Sequence, residues 1–131
     1  MPEITIKQRP KFLTLWEIRL PIPGIVSILH RVSGAGLFLA LPFLLCLLQL
    51  SLGSAENILT FKQVTGNLLV KLVLFGLCWA YIHHFCAGIR FLLMDVHVGV
   101  DKAPSRASAK AVLVVSLGLT ALVAMKFLGV F

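Results

Sequence analysis

Ser27, His30, Arg31 and Gly34 fall at i, i+3, i+4 and i+7, a spacing that places them on one face of a helix. The stripe combines a hydroxyl, an imidazole and a guanidinium at the mouth of a long apolar run. Ser27 can donate to a carbonyl oxygen, and Arg31 can stabilise negative charge developing on it. A quinone entering from lipid needs such groups at the membrane surface. The competing reading is that Arg31 snorkels to anchor the helix and Ser27 caps it. The pattern alone leaves both open.

A second set of candidates lies in another apolar run, where His83 and His84 are adjacent. Ionisable groups at that depth are expensive and face a partner, a cavity or a cofactor. Neighbouring helical residues point about 100° apart, so the two imidazoles are not expected to serve one ligand. His84 has Ala80 at i−4 and Gly88 at i+4, which leaves room for a flat macrocycle, and imidazole is a standard axial haem ligand. Arg90 follows six residues later, about 9 Å along the helix, where it would meet haem propionates. The plainer alternative is that His84 hydrogen-bonds a carbonyl or hydroxyl on a neighbouring helix. His83, with Ala87 at i+4, is read as structural. One histidine cannot fill both axial positions. His30 is expected to lie too shallow to pair with His84, so the missing ligand would come from another chain.

The elements that must position these residues follow from composition. The 131 residues are 59% hydrophobic and 13% charged, with a mean hydropathy of +0.98, which makes the bilayer the natural solvent. Uncharged runs cover Val32–Ala55, Leu72–Ile89 and Ala111–Met125. With flanking residues they give three expected spans, about 25–52, 62–94 and 107–130, in a single membrane-anchor domain over 1–131. Pro42 should kink the first span. Thr14 and Glu17 match a capping box for a short interfacial helix over Leu15–Leu20, ended by Pro21 and Pro23. Ser105 is the expected N-cap of the third span, whose Ser116, Gly118, Thr120, Ala121 and Ala124 would permit close helix packing.

The net charge of +7 is a matter of topology and implies no nucleic-acid partner. Lys7, Arg9, Lys11, Arg19, Arg31, Arg90, Lys102, Arg106 and Lys110 share one side; Lys62, Lys71 and Lys126 share the other. The positive-inside rule then puts the N-terminus in the cytoplasm and the C-terminus in the periplasm of an inner membrane. Cys46, Cys78 and Cys86 lie within spans without a C-x-x-C, which speaks against a thiol metal site or covalent haem attachment. The first 20 residues lack the apolar core of a cleavable signal. Asp95 and Asp101 are solitary, and no nucleophile–base pair, phosphate loop or carboxylate pair is evident.

Ser27-Ile-Leu-His30-Arg31-Val-Ser-Gly34, taken with His84-x-x-x-Gly88-Ile-Arg90 and Asp95, resembles the cytochrome b subunit of succinate dehydrogenase, respiratory complex II, of the proteobacterial type. Arg9-Pro10, Pro21-Ile22 and the three-span order fit as well. The resemblance implies an all-α integral membrane protein of three transmembrane helices, forming half of a heterodimeric anchor with a second small membrane subunit. It implies an iron–sulfur subunit and an FAD-bearing flavoprotein subunit as partners, with electrons passing from succinate to ubiquinone. On that pattern His84 is one axial ligand of a haem b shared with the partner anchor, Ser27 and Arg31 belong to the quinone pocket, and His30, Arg31 and Arg90 lie near the haem propionates. Many relatives have a second histidine after the motif arginine, where this chain has Phe91. A fumarate reductase anchor has the same architecture. A purely structural subunit, or a proton path through His83 and His84, is a further alternative; the latter is weakened by the lack of acidic residues within the spans.

Overall fold

Pro21 and Pro23 set where the first long helix begins. Proline is tolerated in a first turn because its missing N–H would be unpaired there anyway. The computed structural model describes residues 17–127. In it α1 runs over Ile22–Ser51 with Pro21 as N-cap, and the Pro21 carbonyl accepts from Gly24 N at 2.9 Å and Ile25 N at 3.1 Å. The two prolines therefore start the span three residues before the expected Ile25. Helix α1 continues through Pro42. Thr14, Leu15 and Trp16 lie outside the described residues, but Ile18–Leu20, half of the expected interfacial helix over Leu15–Leu20, are not helical, because the chain is already leading into the prolines that start α1.

The second expected span is divided. Helix α2 covers Ala55–Gly66, capped by Ser54, and α3 covers Leu68–Asp95. Between them Asn67 is extended (φ −66°, ψ 133°) and serves as the N-cap of α3. Its Oδ1 accepts from Leu69 N at 2.9 Å and Val70 N at 3.4 Å. A side chain that satisfies free N–H groups at a helix start competes with helix continuation through the same point. The uncharged run Val64–Val70 hid this break.

Helix α3 closes with a Schellman arrangement: His97 N bonds the Met94 carbonyl and Val98 N the Leu93 carbonyl, both at 2.9 Å. His97 takes the left-handed conformation (φ 63°) usually left to glycine. Helix α4 spans Lys102–Phe127, and the Asp101 carbonyl accepts from Ser105 N at 2.9 Å. Ser105 thus lies inside the first turn and is not the cap, and its hydroxyl is free for a neighbouring helix.

Helices α1, α3 and α4 are each long and apolar enough to cross a membrane, and each touches the other two. Early α1 meets late α3, and late α3 meets early α4, so successive spans are antiparallel. Val26, Ala87, Ala109 and Val112 form the buried centre. Ala87 and Ala109 are fully buried, as small residues must be where backbones approach closely. Of the small residues expected to pack α4, Ser116 is buried, whereas Gly118 and Ala121 face outward. Phe38, Leu39, Leu45 and Val114 are among many large apolar side chains on the outer surface, which suits lipid or another membrane chain.

Candidate functional site

Where α1 crosses α3, two imidazoles lie face to face. The rings of His30 and His84 stack with centroids 4.1 Å apart and planes 8° apart. His84 Nδ1 lies 3.0 Å from the backbone carbonyl of His30. A carbonyl cannot donate, so Nδ1 is the donor, and in the neutral imidazole Nε2 is then the acceptor. The Ser33 hydroxyl donates to the same carbonyl at 3.0 Å and lies 3.4 Å from Nδ1. His84 is half-buried, and its Nε2 makes no hydrogen bond among the described residues.

One glycine makes this crossing sterically feasible. A Cβ at Gly34 would stand 2.7 Å from His84 Cε1 and 3.1 Å from Nδ1. At Gly88 a Cβ would meet His30 Nε2 at 3.7 Å. Gly34 therefore admits the His84 ring, whereas His30 lies beside Gly88 at a distance that a Cβ would also tolerate. The space at Gly88 that the spacing argument reserved for a macrocycle is occupied by an imidazole.

The stripe on α1 also divides. Val26 and Ser33 are buried, His30 and Ser27 are half-buried, and Arg31 is exposed. Neither Ser27 nor Arg31 makes a side-chain hydrogen bond among the described residues. His30 is not too shallow to reach His84, because the antiparallel crossing puts both at one depth. What prevents the two from clasping a single iron is the stacking, which leaves no gap between the rings. Phe91 closes the other flank of His30, with centroids 5.1 Å apart. That flank is therefore an apolar wall.

Arg90 turns away from the imidazoles. It is 5% exposed, and its Nε donates to Ser108 Oγ at 3.0 Å. Its Nη2 donates to Ser105 Oγ at 3.0 Å and to the Ser105 carbonyl at 3.3 Å. The guanidinium fork therefore clasps the first turns of α4, and its Cζ sits 5.3 Å from the centroid of the Phe91 ring. His83 is fully buried. Both its ring nitrogens, and Trp79 Nε1, lack hydrogen-bond partners among the described residues. Sequence reasoning did not single out Ser33, although the S-x-x-H-R-x-[ST]-G spacing contained it.

No group of three or more histidine, cysteine or acidic side chains that could hold a bare metal ion occurs among the described residues. What the site offers is one imidazole with a fixed tautomer and a free Nε2. The carbonyl behind it resembles the outer hydrogen bond that orients metal-bound histidines.

Three membrane-length helices define a helical integral membrane protein. The chain belongs to the succinate dehydrogenase/fumarate reductase transmembrane subunits, whose family model matches residues 5–123. It is similar to the succinate dehydrogenase cytochrome b556 subunit of Coxiella burnetii, at 37% identity over 83% of this chain and 88% of that one. The subunit of the same name from Rickettsia felis is 32% identical over 88% of this chain and 90% of that one. The one from Paracoccus denitrificans is 27% identical over 97% of this chain and 98% of that one.

Proposed function

We propose that this chain is the cytochrome b half of a two-subunit membrane anchor in a succinate:ubiquinone oxidoreductase. In this reading it shares a haem b with a second small membrane subunit and contributes part of a ubiquinone pocket. The observation that carries the reading is His84, whose Nδ1 is held by the His30 carbonyl while Nε2 is free. A haem shared between two chains would be held on this side by His84 Nε2. When bound, haem b supplies a one-electron store between the partner's iron–sulfur clusters and the quinone.

The chain's own residues then act by positioning. The His30 carbonyl fixes the tautomer of His84, Gly34 admits its ring, and His30 and Phe91 exclude water from one flank. In this reading His30 and Arg31 would be the groups that meet the haem propionates, whereas Arg90 is engaged by α4. Ser27 and Arg31, without hydrogen-bond partners among the described residues, are assigned to the quinone carbonyl. Succinate, FAD and the iron–sulfur clusters belong to the flavoprotein and iron–sulfur subunits. The charge asymmetry supports an inner-membrane orientation with the N-terminus cytoplasmic. A fumarate reductase anchor has the same architecture; the three relatives, all succinate dehydrogenase subunits by name, favour succinate oxidation.

A reduced-minus-oxidised spectrum of the purified complex, with succinate as reductant, tests the haem assignment. A b-type band is expected for the unaltered chain, and its loss or displacement in His84→Leu. An unchanged band in the variant would overturn axial ligation. For the quinone assignment, Arg31→Leu should lower succinate–quinone turnover by roughly tenfold or more, as loss of a charge-stabilising donor does. Electron transfer from succinate to a soluble artificial acceptor should persist. Equal loss of both activities would reject the quinone role.

A further inference from the structure

At the end of the bundle remote from His30, the break between α2 and α3 opens a cavity of about 620 Å³. This lies within the usual ~300–1,000 Å³ range of ligand pockets. Its walls are apolar, with Leu74, Phe75, Val123 and Phe127 prominent among them. Phe75 and Phe127 meet edge to face at 5.8 Å. Among the described residues the charged side chains that line it are Lys62 on α2 and Lys71 on α3, with no carboxylate. The Thr65 hydroxyl at its margin is already engaged by the Phe61 carbonyl at 2.7 Å.

We propose that this cavity seats an acyl chain of an anionic phospholipid whose phosphate is held by Lys62 and Lys71. The occupant must be apolar along its length and negative at one end. A lysine near a helix end lays its stem along apolar surface and holds its ammonium at headgroup height. Two lysines from successive helices on one apolar cavity thus match a phosphodiester above a hydrocarbon tail. A zwitterionic lipid fills the same space without the net charge complement. A loop from a partner chain would bring unpaired backbone groups into an apolar wall, which the membrane interior penalises. The site is independent of the haem reading, since none of its described lining residues is among the stacking or hydrogen-bond partners of His30 or His84.

The test is lipid retention by the purified membrane complex, counted by native mass spectrometry after exchange into micelles containing phosphatidylglycerol or phosphatidylcholine. Tight retention of phosphatidylglycerol and poor retention of phosphatidylcholine are expected. Lys62→Gln with Lys71→Gln should weaken phosphatidylglycerol retention about 30-fold, the usual worth of two lysines at an anionic headgroup. Lys102→Gln with Lys110→Gln, at the other end of the bundle, should leave it unchanged. Gly66→Leu offers a steric version: Gly66 lines the cavity, and a Cβ there meets no atom within 4 Å. It should reduce retention while keeping both charges. Unchanged retention in both cavity variants would overturn the proposal, as would equal retention of the two lipids. So would a photo-crosslinking side chain at Val123 that captures the partner anchor subunit instead of lipid.

Discussion

Gly34→Val is expected to remove most of the haem absorbance from the assembled complex. Even the first carbon of the new side chain would stand 2.7 Å from His84 Cε1, closer than real contacts allow. The imidazole has little room to give way, because His30 stacks on it and the His30 carbonyl holds its Nδ1. Either His84 swings off that carbonyl or α1 and α3 separate, at a cost of ~1–3 kcal/mol for overpacking. Both responses move Nε2 from its place. The haem-to-protein ratio and the reduced-minus-oxidised spectrum of the purified complex are the measurements. Gly36→Val supplies the control, since a Cβ at Gly36 meets nothing within 4 Å. Full haem content in Gly34→Val would show that His84 does not need the position described here.

Arg90→Leu is expected to destabilise the complex by about 2–4 kcal/mol, on ~1.5–3 kcal/mol for each hydrogen bond to a charged group less the gain from an apolar replacement. The guanidinium joins α3 to both Ser105 and Ser108, so its removal should loosen the start of α4. Arg90→Lys should recover only part of the loss, because one ammonium cannot reproduce a planar fork reaching two serines. Thermal denaturation of the complex measures the effect, and the haem band of the surviving folded fraction should stay in place. A displaced band without loss of stability would return Arg90 to the propionate role that its sequence position suggested.

The contrast between His84 and Arg90 shows what the sequence could and could not disclose. His84 was legible because an imidazole in a run of apolar residues, with small neighbours one turn away, is conspicuous on one helix. The family motif around Ser27–Gly34 pointed to the same end of the bundle. The partners of Arg90 were not legible, because Ser105 and Ser108 lie beyond a loop and polar pairing between helices leaves no periodic trace. His30 was placed too shallow for a related reason: counting residues from one helix end says nothing about how far its antiparallel neighbour is offset. Ser33 was in plain view within the motif. Its role depends on sharing a carbonyl with a side chain 51 positions away, which only the crossing of α1 and α3 creates. The three spans followed from apolar length alone, whereas the interruption at Asn67 was masked because Val64–Val70 carries no charge.

That interruption bears on how the subunit meets membranes of different thickness. An unbroken helix from Ala55 to Asp95 would be roughly 60 Å long, twice the ~30 Å hydrocarbon layer. Such a rod could fit only by tilting steeply or protruding, and any tilt would carry His84 with it. With Asn67 as a joint, the mismatch can be taken up by reorienting α2, while α3 keeps its crossing with α1. The height of the imidazole pair within the bilayer is thereby insulated from changes in lipid length.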